Sequence, residues 1–257
     1  MWPWFTKTSR VPVCTNSLQS PASVRLCLFF MVEVSGVYRA QRSYENLQRM
    51  IYAGVGNYQI PEILPVKDVS VDNWIGFNFA LTCKEPVSHG VHFFVDDYQF
   101  LRCWSAPEAY VPRLLQFQCV CAPDFSLYLD FPRAIQIYNH YRKHWLARYW
   151  QDSGITVIPT INWADHDSYD FCFDGEPVGG CVAVSSIGMQ TTTQMRALFL
   201  DGYREMLARL RPSTIFLHGD VPDGCTGNII QIQSFVTKKW REQSRQQHLL
   251  FFKEVIK

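Results

Sequence analysis

Four aspartates stand at or just beyond the ends of short apolar runs. Asp96 and Asp97 follow Val91 to Val95, Asp124 follows Gln118 to Ala122, and Asp165 follows Thr156 to Asn162. His218, Ser185 and Ser186 end two later runs, Asn78 belongs to an earlier one, and Trp163 stands beside Asp165. Carboxylates gathered on one mouth repel one another. Such a site either raises some of their pKa values, giving an acid beside a base, or holds a divalent cation such as magnesium or manganese. Two hydrolytic chemistries fit. In a glycosidase one carboxylic acid protonates the leaving group while a carboxylate acts as base or nucleophile. In a metal-assisted phosphodiesterase the aspartates hold the cation that activates water. The catalytic candidates are therefore Asp124, Asp165, Asp96 and His218. Trp163, Asn78, Ser185, Ser186 and Asp97 are candidates for binding substrate, with Trp163 suited to stacking on a sugar or a base.

Each residue also has a plainer role. Asp124 precedes Phe125-Ser126 and suits an Asx turn. Asp130, just before a helix starting near Pro132, suits a cap. Asp174-Gly175 is a turn signature. Asp96 and Asp97 are neighbours, so only one of them can point into a given pocket. A histidine at a strand end commonly serves a core hydrogen bond. Ser185-Ser186 lacks the G-x-S-x-G pattern of a nucleophile elbow.

These residues need a scaffold that brings strand ends together. From Tyr58 onward the chain reads as strands with helices between several of them. The strands are Asn73 to Leu81, Val91 to Val95, Gln118 to Ala122, Thr156 to Asn162, Cys181 to Val184, Thr214 to Leu217 and Asn228 to Phe235. Val24 to Val34 could supply an eighth. Ser105 with Glu108 has capping-box spacing for a helix through Leu115, distorted near Pro112. A long helix is predicted from Pro132 to Ser153, stopped by Gly154. Its stripe Tyr138, Tyr141, Trp145 and Tyr149 reads as core, with Arg142, Lys143 and Arg148 as the solvated side. Another helix is predicted from Thr192 to Arg211, with Met195, Phe199, Tyr203, Met206 and Leu210 inward. Strands separated by helices imply right-handed crossovers and a largely parallel sheet. The fold expected is α/β, a (β/α)-barrel, incomplete or distorted because some connections are too short for a helix. An open doubly wound parallel sheet is the alternative. No G-x-G-x-x-G follows a strand and no P-loop occurs, so neither dinucleotide nor NTP binding has support.

Several segments, in order, resemble one protein family. They are Val91-His-Phe-Phe-Val-Asp-Asp-Tyr-Gln-Phe100, Pro123-Asp-Phe-Ser-Leu-Tyr128 with Asp130 and Pro132, and Tyr149-Trp-Gln151. Val157-Ile-Pro159 with Trp163, Ser168-Tyr-Asp-Phe-Cys-Phe-Asp-Gly175 and Val182-Ala-Val-Ser-Ser-Ile-Gly188 continue the match. The family is the domain-of-unknown-function family 4417, found in prokaryotes, their phages and mobile elements. The resemblance covers roughly Tyr58 to Phe235. It implies a phage or mobile-element setting and no particular catalytic residue.

Composition bounds the remaining classes. The chain is 47% hydrophobic, enough for one substantial core, and its formal net charge of +1 gives no global field for nucleic acid or an anionic membrane. The longest apolar run, Leu26 to Val34, contains Glu33 and is too short to span a bilayer. Nine cysteines include no C-x-x-C pair, so buried reduced thiols in a cytoplasmic protein are expected, not a disulfide framework or zinc site. Cys119 and Cys121, two apart, would share one face of a strand. Three parts follow: residues 1–50 as an extension rich in Pro, Ser and Thr, 51–237 as the α/β domain, and 238–257 as a basic tail. Lys238, Lys239, Arg241 and Arg245 around Trp240 define the rival reading, a non-catalytic module that binds nucleic acid or protein. A solvated terminal helix is the plainer account of that tail.

Overall fold

The computed structural model describes residues 45–189 and 191–232. The possible strand from Val24 to Val34, the basic tail and the last residues of the seventh predicted strand lie outside them.

A hairpin comes first: β1 (Gly54–Val55) pairs antiparallel with β2 (Ile60–Pro61). Then β3 (Asn73–Gly76) leads directly into a one-turn helix, α1 (Phe77–Ala80). The first predicted strand thus ends five residues early. Phe77 and Ala80, three apart, are both buried, a spacing that suits a helical turn and not a strand. Next come β4 (His89–His92), α2 (Leu101–Ser105) and α3 (Pro107–Leu114). The capping box does not form: Ala106 is the N-cap, Pro107 opens the helix, and Glu108 instead pairs with Arg49 at 2.9 Å. β5 (Cys119–Cys121) is followed by the long α4 (Arg133–Asp152), capped at its start by Pro132 and not by Asp130. β6 (Val157–Ile158), β7 (Cys181–Ser185), α5 (Thr193–Leu210), β8 (Thr214–His218) and β9 (Ile229–Ile232) complete the described chain.

The strands β3 to β6 are parallel in sequence order, and so are β7 to β9. Thr160 links the two runs through a parallel bridge to Ala183, with Ile161 N–H donating to the Ala183 carbonyl and Ala183 N–H to the Pro159 carbonyl, each at 2.8 Å. The order never reverses, so the switch point of a doubly wound sheet is absent from the described residues. The sheet curls instead. Trp74 of β3 meets Phe216 of β8 edge-on at 5.2 Å, and His92 of β4 meets His218 of β8 at 4.9 Å. Among the described residues β3 and β9 do not pair, so no closed barrel forms.

Strand alternation divides the core. Cys119, Cys121, Ile158, Cys181, Ala183 and Phe216 fill the inside of the curl. Ile75, Val91, Phe93, Val120 and Val157 face outward onto Trp145, Leu146 and Trp150 of α4. Val182, Val184, Ile215 and Leu217 meet Phe199, Tyr203, Met206 and Leu210 of α5. Each such large side chain removed from water contributes about 1.5–3 kcal/mol. Gly202 lets α5 approach the sheet, because a Cβ there would stand 2.2 Å from Trp163 Nε1.

Two further expectations change. On α4 Trp145 is buried while Tyr138, Tyr141 and Tyr149 are half-buried, and Lys143, placed by periodicity in solvent, is completely buried. Residues 45–50, grouped by composition with the extension, hold core contacts. Asn46 is buried and donates to the Trp104 carbonyl at 2.8 Å, and Trp145 Nε1 donates to the Met50 carbonyl at 3.0 Å.

Candidate functional site

The carboxyl ends of β4 to β8 surround a cavity of about 580 Å³, within the range of small-ligand sites. Phe94 and Asp96 follow β4, Asp124 follows β5, and Asn162 and Trp163 follow β6. Ser185 ends β7 and His218 ends β8. Leu127, Met189, Met195 and Leu198 make much of the remaining wall apolar.

Asp124 leaves β5 through Pro123 and is half-buried. Its Oδ1 accepts from Asn162 Nδ2 at 2.9 Å. Burial pushes its carboxyl up to about 7; the Lys143 ammonium opposes this, the Asp97 carboxylate adds to it, and the Asn162 donor opposes it. Asn162 is held by a second bond, from Nδ2 to the Phe125 carbonyl at 2.9 Å, and its Oδ1 accepts from Lys143 Nζ at 3.1 Å.

His218 is buried in an aromatic stack, with Phe94 parallel at 4.9 Å on one side and His92 tilted at 4.9 Å on another. Burial draws its pKa down to about 4, so the ring is neutral near pH 7. His218 Nδ1 lies 3.3 Å from Ser185 Oγ. That oxygen already accepts from the Ile187 N–H at 3.3 Å, which leaves its proton free for the imidazole. His92 behind the stack is also held neutral, at about 3, by burial and then by His218, and its Nδ1 has no partner among the described residues.

Of the expected site residues, Asp124, Asp96, Trp163, Ser185 and His218 line this one cavity. Trp163 is buried against α5 and donates from Nε1 to the Leu198 carbonyl at 3.3 Å, so it is wall and not a free stacking platform. The others lie apart. Asp165 caps the 3-10 turn His166–Asp170 by accepting from Ser168 N–H at 3.1 Å and pairs with Arg133 at 3.0 Å. Burial pushes its carboxyl up, but the Arg133 guanidinium outweighs this and holds it below the usual range. Asp97 accepts from Ser126 Oγ at 2.7 Å and Ser126 N–H at 3.1 Å, fixing the loop that carries Asp124. Ser186 donates to the Asp220 carbonyl at 2.6 Å, and Asn78 is exposed on α1.

Behind Asp124 a polar chain runs through half-buried Asn162 to buried Lys143, Glu176 and His144. Lys143 Nζ donates to the Thr160 carbonyl at 2.7 Å and meets Glu176 Oε1 at 2.8 Å, and His144 Nε2 lies 2.9 Å from the same oxygen. Burial pushes the Glu176 carboxyl up, yet Lys143 and His144 outweigh it and hold it below the usual range. Sequence reasoning missed this chain, because Glu176 reads as part of a turn. The signal available was His140-x-x-x-His144, two imidazoles on one helix face. No three metal-ligating side chains converge at the mouth among the described residues; the one such group is His140, His144 and Glu176.

Among the described residues all seven cysteines are free thiols, with Cys119 and Cys121 buried side by side inside the curl. No helix of the described residues is long and apolar enough to cross a membrane.

The family model described as "Domain of unknown function (DUF4417)" matches residues 52–236. The Gene 1 protein of Mycobacterium phage D29 is 36% identical over 200 residues, covering 77% of this chain and 73% of its own. The Gene 1 protein of Mycobacterium phage L5 is 35% identical over 199 residues, covering 75% of this chain and 86% of its own. No solved structure matches. The chain belongs to the DUF4417 family and is similar to Gene 1 proteins of mycobacteriophages.

Proposed function

We propose that the cavity is the active site of a hydrolase that works by paired acid and base catalysis, in the manner of a glycosidase. The carrying observation is that one cavity holds a carboxyl displaced upward, Asp124, and an imidazole displaced downward, His218. Their usual order is inverted. Between about pH 4 and about pH 7 the aspartate is the acid and the histidine is the base. Asp124 gives its proton to the leaving group. His218 draws a proton through Ser185 from the attacking nucleophile. Asp96 at the rim and Asn162 orient the substrate, and the apolar wall excludes water as the site fills.

The metal-assisted phosphodiesterase reading has less support at this mouth, because Asp165 and Asp97 are engaged elsewhere. The curled, sequentially ordered sheet supports an incomplete (β/α)-barrel as the scaffold. The free thiols support a reducing cytoplasm, here that of a phage-infected cell.

A panel of chromogenic glycosides, esters and phosphodiesters, assayed from pH 3 to 9, tests the reading. A turned-over glycoside should show a bell-shaped kcat/KM. Its acid limb reports His218 protonating, and its alkaline limb reports Asp124 ionising. Asp124→Asn should lower kcat by about 10²–10⁴-fold. Tight binding of a ligand with no turnover in any class would instead support a non-catalytic binding module.

A further inference from the structure

His140 and His144 stand one turn apart on α4 with ring centroids 4.2 Å apart, and both are buried. His140 Nε2 lies 3.0 Å from the Asp174 carbonyl, and His144 Nδ1 lies 2.7 Å from the Pro61 carbonyl. A carbonyl can only accept, so both of these nitrogens carry the proton. The ring nitrogens left to take a further proton or a metal are therefore His140 Nδ1 and His144 Nε2. Those two atoms belong to the rings that, with a Glu176 carboxylate oxygen, offer ligand atoms all within 4.8 Å of one another.

The arrangement leaves a deficit. His140 Nδ1 and Glu176 Oε2 are buried without a hydrogen-bond partner among the described residues. His144 Nε2 faces Glu176 Oε1 at 2.9 Å, a contact that takes either a proton on Nε2, which makes the ring an imidazolium, or a metal cation. Buried polar atoms left unpaired have given up their hydration with nothing in return. An imidazole whose far N–H is fixed by a carbonyl is the outer-shell pattern that orients histidines toward a metal. The backbone is shaped to the same end. Gly175, at φ +74°, precedes Glu176, and a Cβ there would stand 2.5 Å from the Pro61 carbonyl and 2.8 Å from His144 Nδ1.

We propose that His140, His144 and Glu176 bind a first-row transition-metal dication, zinc being the probe of choice for two imidazoles and one carboxylate. Glu176 keeps Lys143 on Oε1 and offers Oε2. The three ligands come from α4 and the loop before β7, and Pro61 of β2 orients His144, so the metal clamps the N-terminal hairpin and that loop onto the long helix. None of the three residues lines the mouth cavity, so the site is separate from the proposed reaction and structural in kind.

The test uses the full chain, purified without a metal-affinity step and stripped with a chelator. Zinc should bind at one equivalent and raise Tm. Cobalt substitution should give a d–d spectrum without a thiolate charge-transfer band, which separates this site from adventitious binding to cysteines. His140→Gln keeps a donor for the Asp174 carbonyl but removes the imidazole lone pair, and should weaken zinc binding at least ~100-fold, the upper end of the loss expected even from an outer-shell change. Absence of stoichiometric zinc or cobalt binding by the folded wild type would overturn the proposal and assign a proton to the space between His144 and Glu176. So would binding that His140→Gln leaves intact, or a cobalt spectrum dominated by thiolate.

Discussion

Lys143 Nζ and Glu176 Oε1 meet at 2.8 Å with both side chains sealed from solvent. The pair sits where the sheet is weakest, between two-residue β6 and β7, and the same ammonium takes up the Thr160 carbonyl. Removing one partner strands the other charge. Lys143→Met should therefore cost about 3–5 kcal/mol in urea unfolding. Adding Glu176→Gln should recover part of that loss. Additive losses in the double variant would mean the two charges are not coupled.

The buried pair also has a pH signature. Glu176 is held below the usual carboxylate range, so its contribution is present above that range and is lost as acid protonates it. Wild type should lose stability on acidification more steeply than Glu176→Gln, as measured by denaturant midpoints between pH 3 and 7. Parallel curves would contradict this.

Asp124 has the opposite sign. Its folded pKa is raised, so the folded state binds more protons than the unfolded chain from the usual carboxylate range up to about 7, and stability falls as pH rises through that window. Asp124→Asn removes the effect while keeping an acceptor for Asn162. The variant should be as stable as wild type at pH 4 and up to ~2 kcal/mol more stable at pH 8, the half-buried position tempering the full shift. A loss of stability at pH 8 would mean that the ionised carboxylate is a needed acceptor.

Asp165→Asn should behave differently from Asp124→Asn. It gives up a half-exposed ion pair to Arg133 and weakens a cap on Ser168, at a cost of about 0.5–1.5 kcal/mol. Equal and stabilising effects from both asparagine variants, read by thermal unfolding, would put Asp165 back beside Asp124.

Much of this was readable from residue order. All seven strands from β3 to β9 fall within or beside segments marked by apolar runs ending in polar residues, and α4 and α5 lie within one residue of their expected bounds. Asp124, Ser185 and His218 share one cavity because strand-end polar residues gather at one mouth of a parallel sheet. The failures share a cause. Lys143, His144 and Glu176 form one network from two distant segments, and each is ordinary in its local context: a lysine on a helix, a turn glutamate. Burial of a charge is decided by its tertiary partner, which periodicity does not see. Asp165 was misplaced because its partner, Arg133, lies on another element. The contacts of residues 45–50 were illegible for the same reason, since Asn46 and Met50 bond to Trp104 and Trp145 far along the chain.

Those contacts yield a deletion test. Removing residues 1–44 should leave the contacts of Asn46 and Met50 with Trp104 and Trp145 in place, whereas removing 1–50 also takes away Asn46 and the Met50 carbonyl that binds buried Trp145. The longer deletion should lower Tm relative to the shorter one, by the equivalent of about 1–3 kcal/mol. Indistinguishable melting curves would return residues 45–50 to the extension.

The inverted acid–base pair of Asp124 and His218 can be measured without a substrate. Site-resolved NMR titration, following the Asp124 carboxyl carbon and the His218 ring nitrogens from pH 3 to 9, reads both groups in one sample. His218 should lose its proton near 4 and Asp124 near 7, so that a neutral imidazole and a protonated carboxyl coexist between them. Asp124 titrating in the ordinary carboxylate range with His218 in the ordinary imidazole range would contradict it, and would leave the cavity without the acid on which the proposed hydrolysis depends.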